Sequence, residues 1–354
     1  MTGSLPAGYH SPQLDVEVRL NTNESPWPPP PDFARQLSDE LALVDLHRYP
    51  EREAVKLREA VAARHGVEAS QVFCSNGSNE AIQLLLSVRG GAGKTAALFT
   101  PTYTLHSHLS RLTGTQVVAH PRGDDFRLSP ELVKEVVVSG SPDVVFLCIP
   151  NNPTGTLDEP AVIDAALSGS SLVVVDEAYG EFGGVPSAAP RVAHEDVAVV
   201  RTFSKAWAMA GLRLGYAVAD QDLVTAMFDR ALPYHLDVAK QLAGRLALSY
   251  ESEMAERVER IVSERARALT ELRSLAETVW DSAANFILFR PAAPAKAVWE
   301  GLVERSVLVR DLSSLPGLEG CLRVTIGTPA DNDRFLEALG EIVAGSAGMT
   351  PPRK

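Results

Sequence analysis

Arg201-Thr-Phe-Ser-Lys-Ala-Trp-Ala-Met-Ala-Gly-Leu-Arg-Leu-Gly215 follows directly on the apolar run Val197-Ala-Val-Val200. The run reads as a buried strand. Lys205 lies just past its end, directly after the hydroxyls of Thr202 and Ser204 and eight residues ahead of Arg213. Two hydroxyls and a guanidinium that can converge beside an amine make an anion site next to a nucleophile. Such a site can hold a phosphorylated aldehyde as a Schiff base. Taken singly, the segment fits a solvated surface Lys/Arg pair equally well, so the rest of the chain must decide.

Four further segments supply what a pyridoxal phosphate site requires. Ser171-Leu-Val-Val-Val-Asp-Glu-Ala-Tyr179 is a buried-strand pattern ending in Asp176, a carboxylate that can pair with a protonated ring nitrogen, with Tyr179 three residues on. Pro150-Asn-Asn-Pro-Thr-Gly155 follows the apolar run Val144-Val-Phe-Leu-Cys-Ile149, and its Pro/Gly turn would hold the Asn152 amide rigid. Asn152 and Tyr179 can both reach a ring hydroxyl. Asn76-Gly-Ser-Asn-Glu80 opens the helical stretch Ala81–Val88, so Gly77, Ser78 and Asn79 offer backbone N–H groups and a helix dipole to a phosphate. Tyr103, in Pro101-Thr-Tyr103 after the strand-like Ala96–Thr100, could lie flat on a ring.

In these motifs the chain resembles the fold type I pyridoxal-phosphate-dependent aminotransferases, and most closely their histidinol-phosphate aminotransferase branch, over nearly its whole length. The resemblance implies pyridoxal 5'-phosphate as cofactor, Lys205 as the Schiff-base lysine, Asp176 as the pyridinium partner and Tyr103 as the stacking aromatic. It puts Asn152 and Tyr179 on the ring hydroxyl, and Ser78, Asn79, Thr202, Ser204 and Arg213 in a phosphate cup. Leu20-Asn-Thr-Asn-Glu-Ser-Pro-Trp27 resembles the branch's Asn-x-Asn-Glu-x-Pro segment, which brings Asn23 to the substrate, and Arg48-Tyr-Pro-Glu51 resembles its Arg-Tyr-Pro element. The resemblance sends Tyr49 to the cofactor phosphate of a neighbouring subunit, and so implies a homodimer. Arg310 and Arg323, thirteen positions apart, match the two substrate arginines, Arg323 for a carboxylate and Arg310 for a phosphate. Tyr9 stands for the tyrosine of a Tyr-x-Pro-Gly element whose surroundings are altered here. The implied reaction is L-histidinol phosphate plus 2-oxoglutarate giving imidazole acetol phosphate plus L-glutamate, with ping-pong kinetics.

Composition agrees. The chain of 354 residues, 45% hydrophobic, is long enough for two domains with a buried core. Its net charge of −12, from 33 basic against 45 acidic residues, argues against a general nucleic-acid or anionic-membrane binder. Cys74, Cys148 and Cys321 are scattered, with neither disulfide-framework nor zinc spacing. No basic leader precedes an apolar run and no stretch approaches the roughly 18 apolar residues of a membrane helix, so a soluble cytoplasmic protein is expected.

The expected fold is α/β: a three-layer α/β/α large domain with a mainly parallel sheet, plus a smaller α+β domain. The limits read as residues 1–45 for an arm with one short helix, 46–230 for the large cofactor-binding domain and 231–354 for the small domain. A helix is expected over Glu51–His65, stopped by Gly66, and a long amphipathic one over Ser249–Leu275. Trp27 and the four prolines after it read as a stiff polyproline linker. Gly90-Gly-Ala-Gly-Lys-Thr95 ends like a P-loop but lacks the first glycine and precedes its strand, so it reads as a loop. His106, His108 and His120 lack the spacing of a metal site, and none is expected. Singly, Tyr103 reads as a core aromatic, Asp176 as a helix cap and Arg323 as a strand-edge residue. Their joint order carries the functional reading. An aromatic amino acid aminotransferase remains the alternative, with a threonine-phosphate decarboxylase or a non-catalytic regulatory domain behind it.

Overall fold

The computed structural model describes residues 12–347. Its strands are β1 (Val18–Leu20), β2 (Val72–Ser75), β3 (Thr95–Thr100), β4 (Gln116–Pro121), β5 (Val144–Cys148), β6 (Leu172–Asp176), β7 (Val197–Thr202), β8 (Gly215–Val218), β9 (Ala276–Val279), β10 (Phe286–Pro291), β11 (Val307–Asp311) and β12 (Leu322–Thr325). Its helices are α1 (Pro31–Ala42), α2 (Val55–His65), α3 (Ser78–Arg89), α4 (Thr104–Leu112), α5 (Pro130–Gly140), α6 (Ala161–Ala166), α7 (Gly180–Gly183), α8 (Gln221–Phe228), α9 (Val238–Leu248), α10 (Glu251–Leu272), α11 (Ala295–Glu304) and α12 (Pro329–Ala347).

Seven strands form one sheet in the order β2-β8-β7-β6-β5-β3-β4, and only β8 runs antiparallel to its neighbours. Strands β5, β6 and β7 are buried along their whole length because both sheet faces are covered, which is why they read as unbroken apolar runs. Alternate residues feed two separate cores. Val145, Leu147, Val173, Val175, Val197 and Val199 pack with α2, α5, α6, α9 and α10, whereas Phe146, Val174, Ala198 and Val200 pack with α3, α4 and α8. Helix, sheet and helix thus make the three layers. A second sheet of five strands, β1-β11-β12-β10-β9, is antiparallel except where β1 lies parallel to β11.

Local chemistry places several boundaries. Gly66 ends α2 in the left-handed conformation (φ 66°), a place where a Cβ would be strained. The same helix starts at Val55 and not at Glu51, because Ala54 is itself left-handed (φ 47°) and cannot continue a helical turn backwards. The proline run also departs from a pure linker: Pro31 is the first residue of α1, where a missing N–H costs nothing. Strand β1, within the stretch read as an arm, joins the smaller sheet through Val18, Arg19 and Leu20, and so carries residues 21–24 across to the larger one.

One buried ion pair ties the turn after β5 to the exit from β4. Arg122 donates to both oxygens of Asp158 (3.1 and 2.8 Å) and to the carbonyls of Phe99 and Phe126, and the Leu128 N–H donates to Asp158. Burial lifts the pKa of Asp158 more than Arg122 lowers it, so the pair as a whole adds little stability, while either charge left alone is costly. Asp158→Ala is expected to lower the unfolding free energy by about 3–5 kcal/mol in urea titrations, and the double replacement Arg122→Met/Asp158→Leu to recover most of it. A double variant as unstable as the single would contradict this balance.

Candidate active site

The parallel register brings the ends of β5, β6 and β7 side by side, with Cys148 opposite Asp176 and Asp176 opposite Val200. Whatever follows these strands meets at one edge of the sheet, where open α/β folds collect ligands. A cavity of about 300 Å³ opens there, lined by Lys205, Asp176, Asn152 and Tyr179 from the strand ends, by Ser78 and Asn79 from the first turn of α3, by Tyr103 just before α4, and by Arg323 from the smaller sheet.

Lys205 donates from Nζ to the carbonyls of Thr22 (3.0 Å) and Asn23 (2.9 Å). Burial first, then the positive charges of Arg323 and Arg213, lower its pKa from 10.5 to about 7, with Glu24 pulling the other way. Asp176 is held by two donors: the Ala178 N–H reaches Oδ1 (3.0 Å) and His106 Nε2 reaches Oδ2 (2.9 Å). A carboxylate only accepts, so the His106 proton on this contact sits on Nε2. The His106 ring is fully buried, stacks on Phe146 at 4.6 Å and meets the edge of Tyr103 at 5.3 Å, which sets its orientation. Among the described residues no three His, Cys, Asp or Glu side chains cluster as a metal would need.

An anion cup lies at the other end. Arg213, in a left-handed backbone (φ 55°), donates from Nη1 to Ser204 Oγ (3.3 Å), and the Ser204 N–H donates to Thr202 Oγ1 (3.1 Å). Helix α3 starts at Ser78 with no side chain capping it, so its positive dipole end faces the cup. Gly77 plays a different part from the one expected. Its N–H is spent on the Ser75 carbonyl (2.8 Å), and what it contributes is room, since a Cβ there would lie 3.0 Å from Arg213 Nη2. Gly215 does the same more severely: a Cβ would lie 2.4 Å from the Ser78 nitrogen.

Between these ends lies a hydrogen-bonded set joining the two sheets. Arg323 donates from Nη1 to Asn152 Oδ1 (2.6 Å) and from Nη2 to the Asn21 carbonyl (3.0 Å). The Tyr179 hydroxyl accepts from Asn23 Nδ2 (2.9 Å) and Asn152 Nδ2 (3.4 Å), and burial pushes its pKa well above the ordinary value, so its own proton stays available to donate. Tyr103 donates to Asn79 Oδ1 (3.3 Å). Arg310 pairs across the strands with Arg323, on the same sheet face, but does not line the cavity. Tyr49 does not line it either; the residue is 81% exposed and its ring stacks on Tyr234 at 4.6 Å. Tyr9 lies outside the described residues.

Residues 16–339 match the family description "Aminotransferase class I and II". The chain is 44% identical to the histidinol-phosphate aminotransferase of Frankia casuarinae, covering 96% of this chain and 88% of that protein. It is 40% identical to the histidinol-phosphate aminotransferase of Corynebacterium efficiens, covering 95% and 92%. The chain belongs to the class I and II aminotransferases, in their histidinol-phosphate branch. Two solved histidinol-phosphate aminotransferases share the fold of this aminotransferase. The one from Clostridium acetobutylicum superposes with a TM-score of 0.85 at 21% identity, over 93% of this chain and 99% of that one. The one from Sinorhizobium meliloti, solved in complex with pyridoxal-5'-phosphate, gives 0.84 at 24%, over 94% and 92%.

Thr22, Glu24 and His106 escape a reading of motifs in this aminotransferase site, and Asn23 contributes a backbone carbonyl beyond the side chain that its motif offers. Thr22 and Asn23 act through backbone carbonyls, which no side-chain pattern reveals. Glu24 lines the cavity from a segment whose neighbours drew the attention. His106 had a usable signal: it follows Tyr103 by three residues, the spacing at which two side chains share a helix face.

The lowered pKa of Lys205 has a measurable consequence. Between pH 7 and 10.5 the unfolded chain holds the lysine proton more tightly than the folded one, so this group's contribution to stability rises with pH across that window. Its burial penalty is complete below pH 7. In cofactor-free protein, ¹³C-dimethyl-lysine NMR should show one resonance titrating near 7 that Lys205→Met removes, and that substitution should flatten the pH dependence of urea midpoints over the same window. A Lys205 signal titrating near 10 would count against the assignment.

Proposed function

We propose that this chain transfers the amino group of L-histidinol phosphate to 2-oxoglutarate, giving imidazole acetol phosphate and L-glutamate in histidine biosynthesis, with pyridoxal 5'-phosphate held in the cavity. The observation that carries the reading is the convergence, in one cavity, of an amine with a pKa near 7, a fixed carboxylate, an anion cup and a buried arginine from the other sheet.

The residues present fit the cofactor. Its phosphate would lie in the cup made by Ser78, Asn79, Thr202, Ser204 and Arg213, where Gly77 and Gly215 leave space that a Cβ would fill. Asp176 would hold the ring nitrogen, Asn152 and Tyr179 the ring hydroxyl, and Tyr103 would cover the ring. When bound, pyridoxal phosphate supplies an electron sink conjugated to the substrate's α-carbon. The protein supplies position and protons. Lys205, neutral in a large fraction of molecules at pH 7, removes the α-proton at Nζ and returns it elsewhere, and the carbonyls of Thr22 and Asn23 give its ammonium form a resting place. Two donors orient the Asp176 carboxylate, so the acceptor opposite the ring nitrogen would be in place before substrate arrives. Arg323 grips the substrate's anionic group, and its planar fork suits a carboxylate or a phosphate equally. Arg310, one strand outward on the same face, would take the phosphate of histidinol phosphate. Both substrates use the same cavity in turn, hence ping-pong kinetics.

The same reading makes the protein a cytoplasmic homodimer. Support for the dimer comes from Tyr49, which stands with Leu43, Leu46 and Leu232 among the most exposed large apolar side chains. Tyr49 would reach the partner's cofactor phosphate.

Steady-state rates with histidinol phosphate and with phenylalanine decide the substrate, and a hundredfold preference for phenylalanine would overturn the assignment in favour of an aromatic amino acid aminotransferase. Arg323→Lys keeps the charge but loses the fork, and should raise KM for both substrates by roughly 10- to 100-fold. Lys205→Ala should abolish turnover and the visible absorbance of the bound cofactor. Sedimentation should give a dimer; an active monomer would remove Tyr49 from the site.

A further inference from the structure

The cavity holds three cationic side chains, Lys205, Arg213 and Arg323, and two carboxylates, Asp176 and Glu24. Four of these have work in the proposed reaction: Arg213 on the cofactor phosphate, Asp176 on the ring nitrogen, Lys205 on the proton and Arg323 on the substrate anion. Glu24 is left over. It is exposed to solvent while lining the cavity, so it stands at the open side, and its carboxylate makes no ion pair or hydrogen bond among the described residues.

Its place is set by the residue before it. Asn23 is fully buried and left-handed (φ 56°), and every polar group it has is engaged. Its N–H donates to Thr325 Oγ1 (2.9 Å), its Oδ1 accepts from the Thr325 hydroxyl (3.1 Å), and its Nδ2 donates to Tyr179 (2.9 Å). Its carbonyl accepts from Lys205 (2.9 Å) and Asn285 (3.1 Å). The chain therefore delivers the Glu24 carboxylate to the cavity rim from a rigid anchor, near enough to Lys205 to act on its charge.

The two substrates of the proposed reaction, on which this inference rests, differ most at the end remote from the reacting amine. One ends in an imidazole, a hydrogen-bond donor that carries positive charge when protonated; the other ends in a carboxylate. We infer that Glu24 is a specificity-determining residue that reads this remote end, binding the imidazole ring and repelling a distal carboxylate. Ala178, Ala210 and Gly211, which also line the cavity, are small and nonionisable, so they leave the reading of charge to Glu24.

The test compares L-histidinol phosphate with L-phenylalaninol phosphate, which has the same backbone and phosphate but a ring with no donor or charge. In the holoenzyme, Glu24→Gln should lower the ratio of kcat/KM for the two by about tenfold. The same variant should lower KM for 2-oxoglutarate, by roughly two- to fivefold, since a like charge is removed. A merely structural role would worsen all substrates together, so the opposite movements are diagnostic. Calorimetric binding of the two phosphates to the inactive Lys205→Ala protein, with and without Glu24→Gln, reads the same ratio without turnover. A ratio unchanged in both measurements sinks the role of Glu24 while leaving the aminotransferase reading intact. A wild-type enzyme that turns over aromatic amino acids but not histidinol phosphate takes both.

Discussion

Lys205 is a primary amine kept where water is scarce and other positive charges stand near, and most of the structure around the cavity serves that arrangement. Desolvation and the guanidinium groups of Arg323 and Arg213 lower its affinity for a proton by raising the cost of the ammonium form. An amine that is neutral near pH 7 can act as a nucleophile and a base, while one at 10.5 is almost wholly blocked. The opposing element is short: two backbone carbonyls and the nearby Glu24 carboxylate keep the ammonium form accessible.

That arrangement needs both sheets. The larger sheet brings Asp176, Asn152 and Lys205 to one edge through parallel register alone. The smaller sheet contributes Arg323, and strand β1 threads from it so that residues 21–24 lie over the lysine. Asn152 is the joint between them, accepting from Arg323 and donating to Tyr179. Arg323 and Tyr179 therefore belong to one hydrogen-bonded set that spans the two sheets.

Much of this was legible in the linear chain. The unbroken apolar runs ending at Cys148, Asp176 and Val200 could only be strands covered on both faces, and residues just past such runs fall at one sheet edge by geometry. Lys205, Asp176, Asn152, Tyr179, Arg213 and Arg323 were found that way or through resemblance, and they do meet. What stayed hidden has physical causes. The carbonyls of Thr22 and Asn23 carry no side-chain signal. His106 looked like one member of a scattered histidine set until α4 turned it onto Asp176. Gly77 was read as a phosphate donor, whereas its N–H is consumed within its own turn and it matters for the space it leaves.

The sequence by itself determined the chemistry on offer: an amine, a carboxylate, two guanidinium groups and a helix N-terminus in an order that matches the aminotransferases. It also determined the layers, because apolar periodicity decides which faces must be buried. Only the tertiary structure decided which of these groups share a cavity and in what state. The pKa of Lys205 depends on Arg323, more than a hundred residues away, and on how little water reaches between them. Burial and long-range charge are properties of three-dimensional neighbours, and the chain order does not contain them.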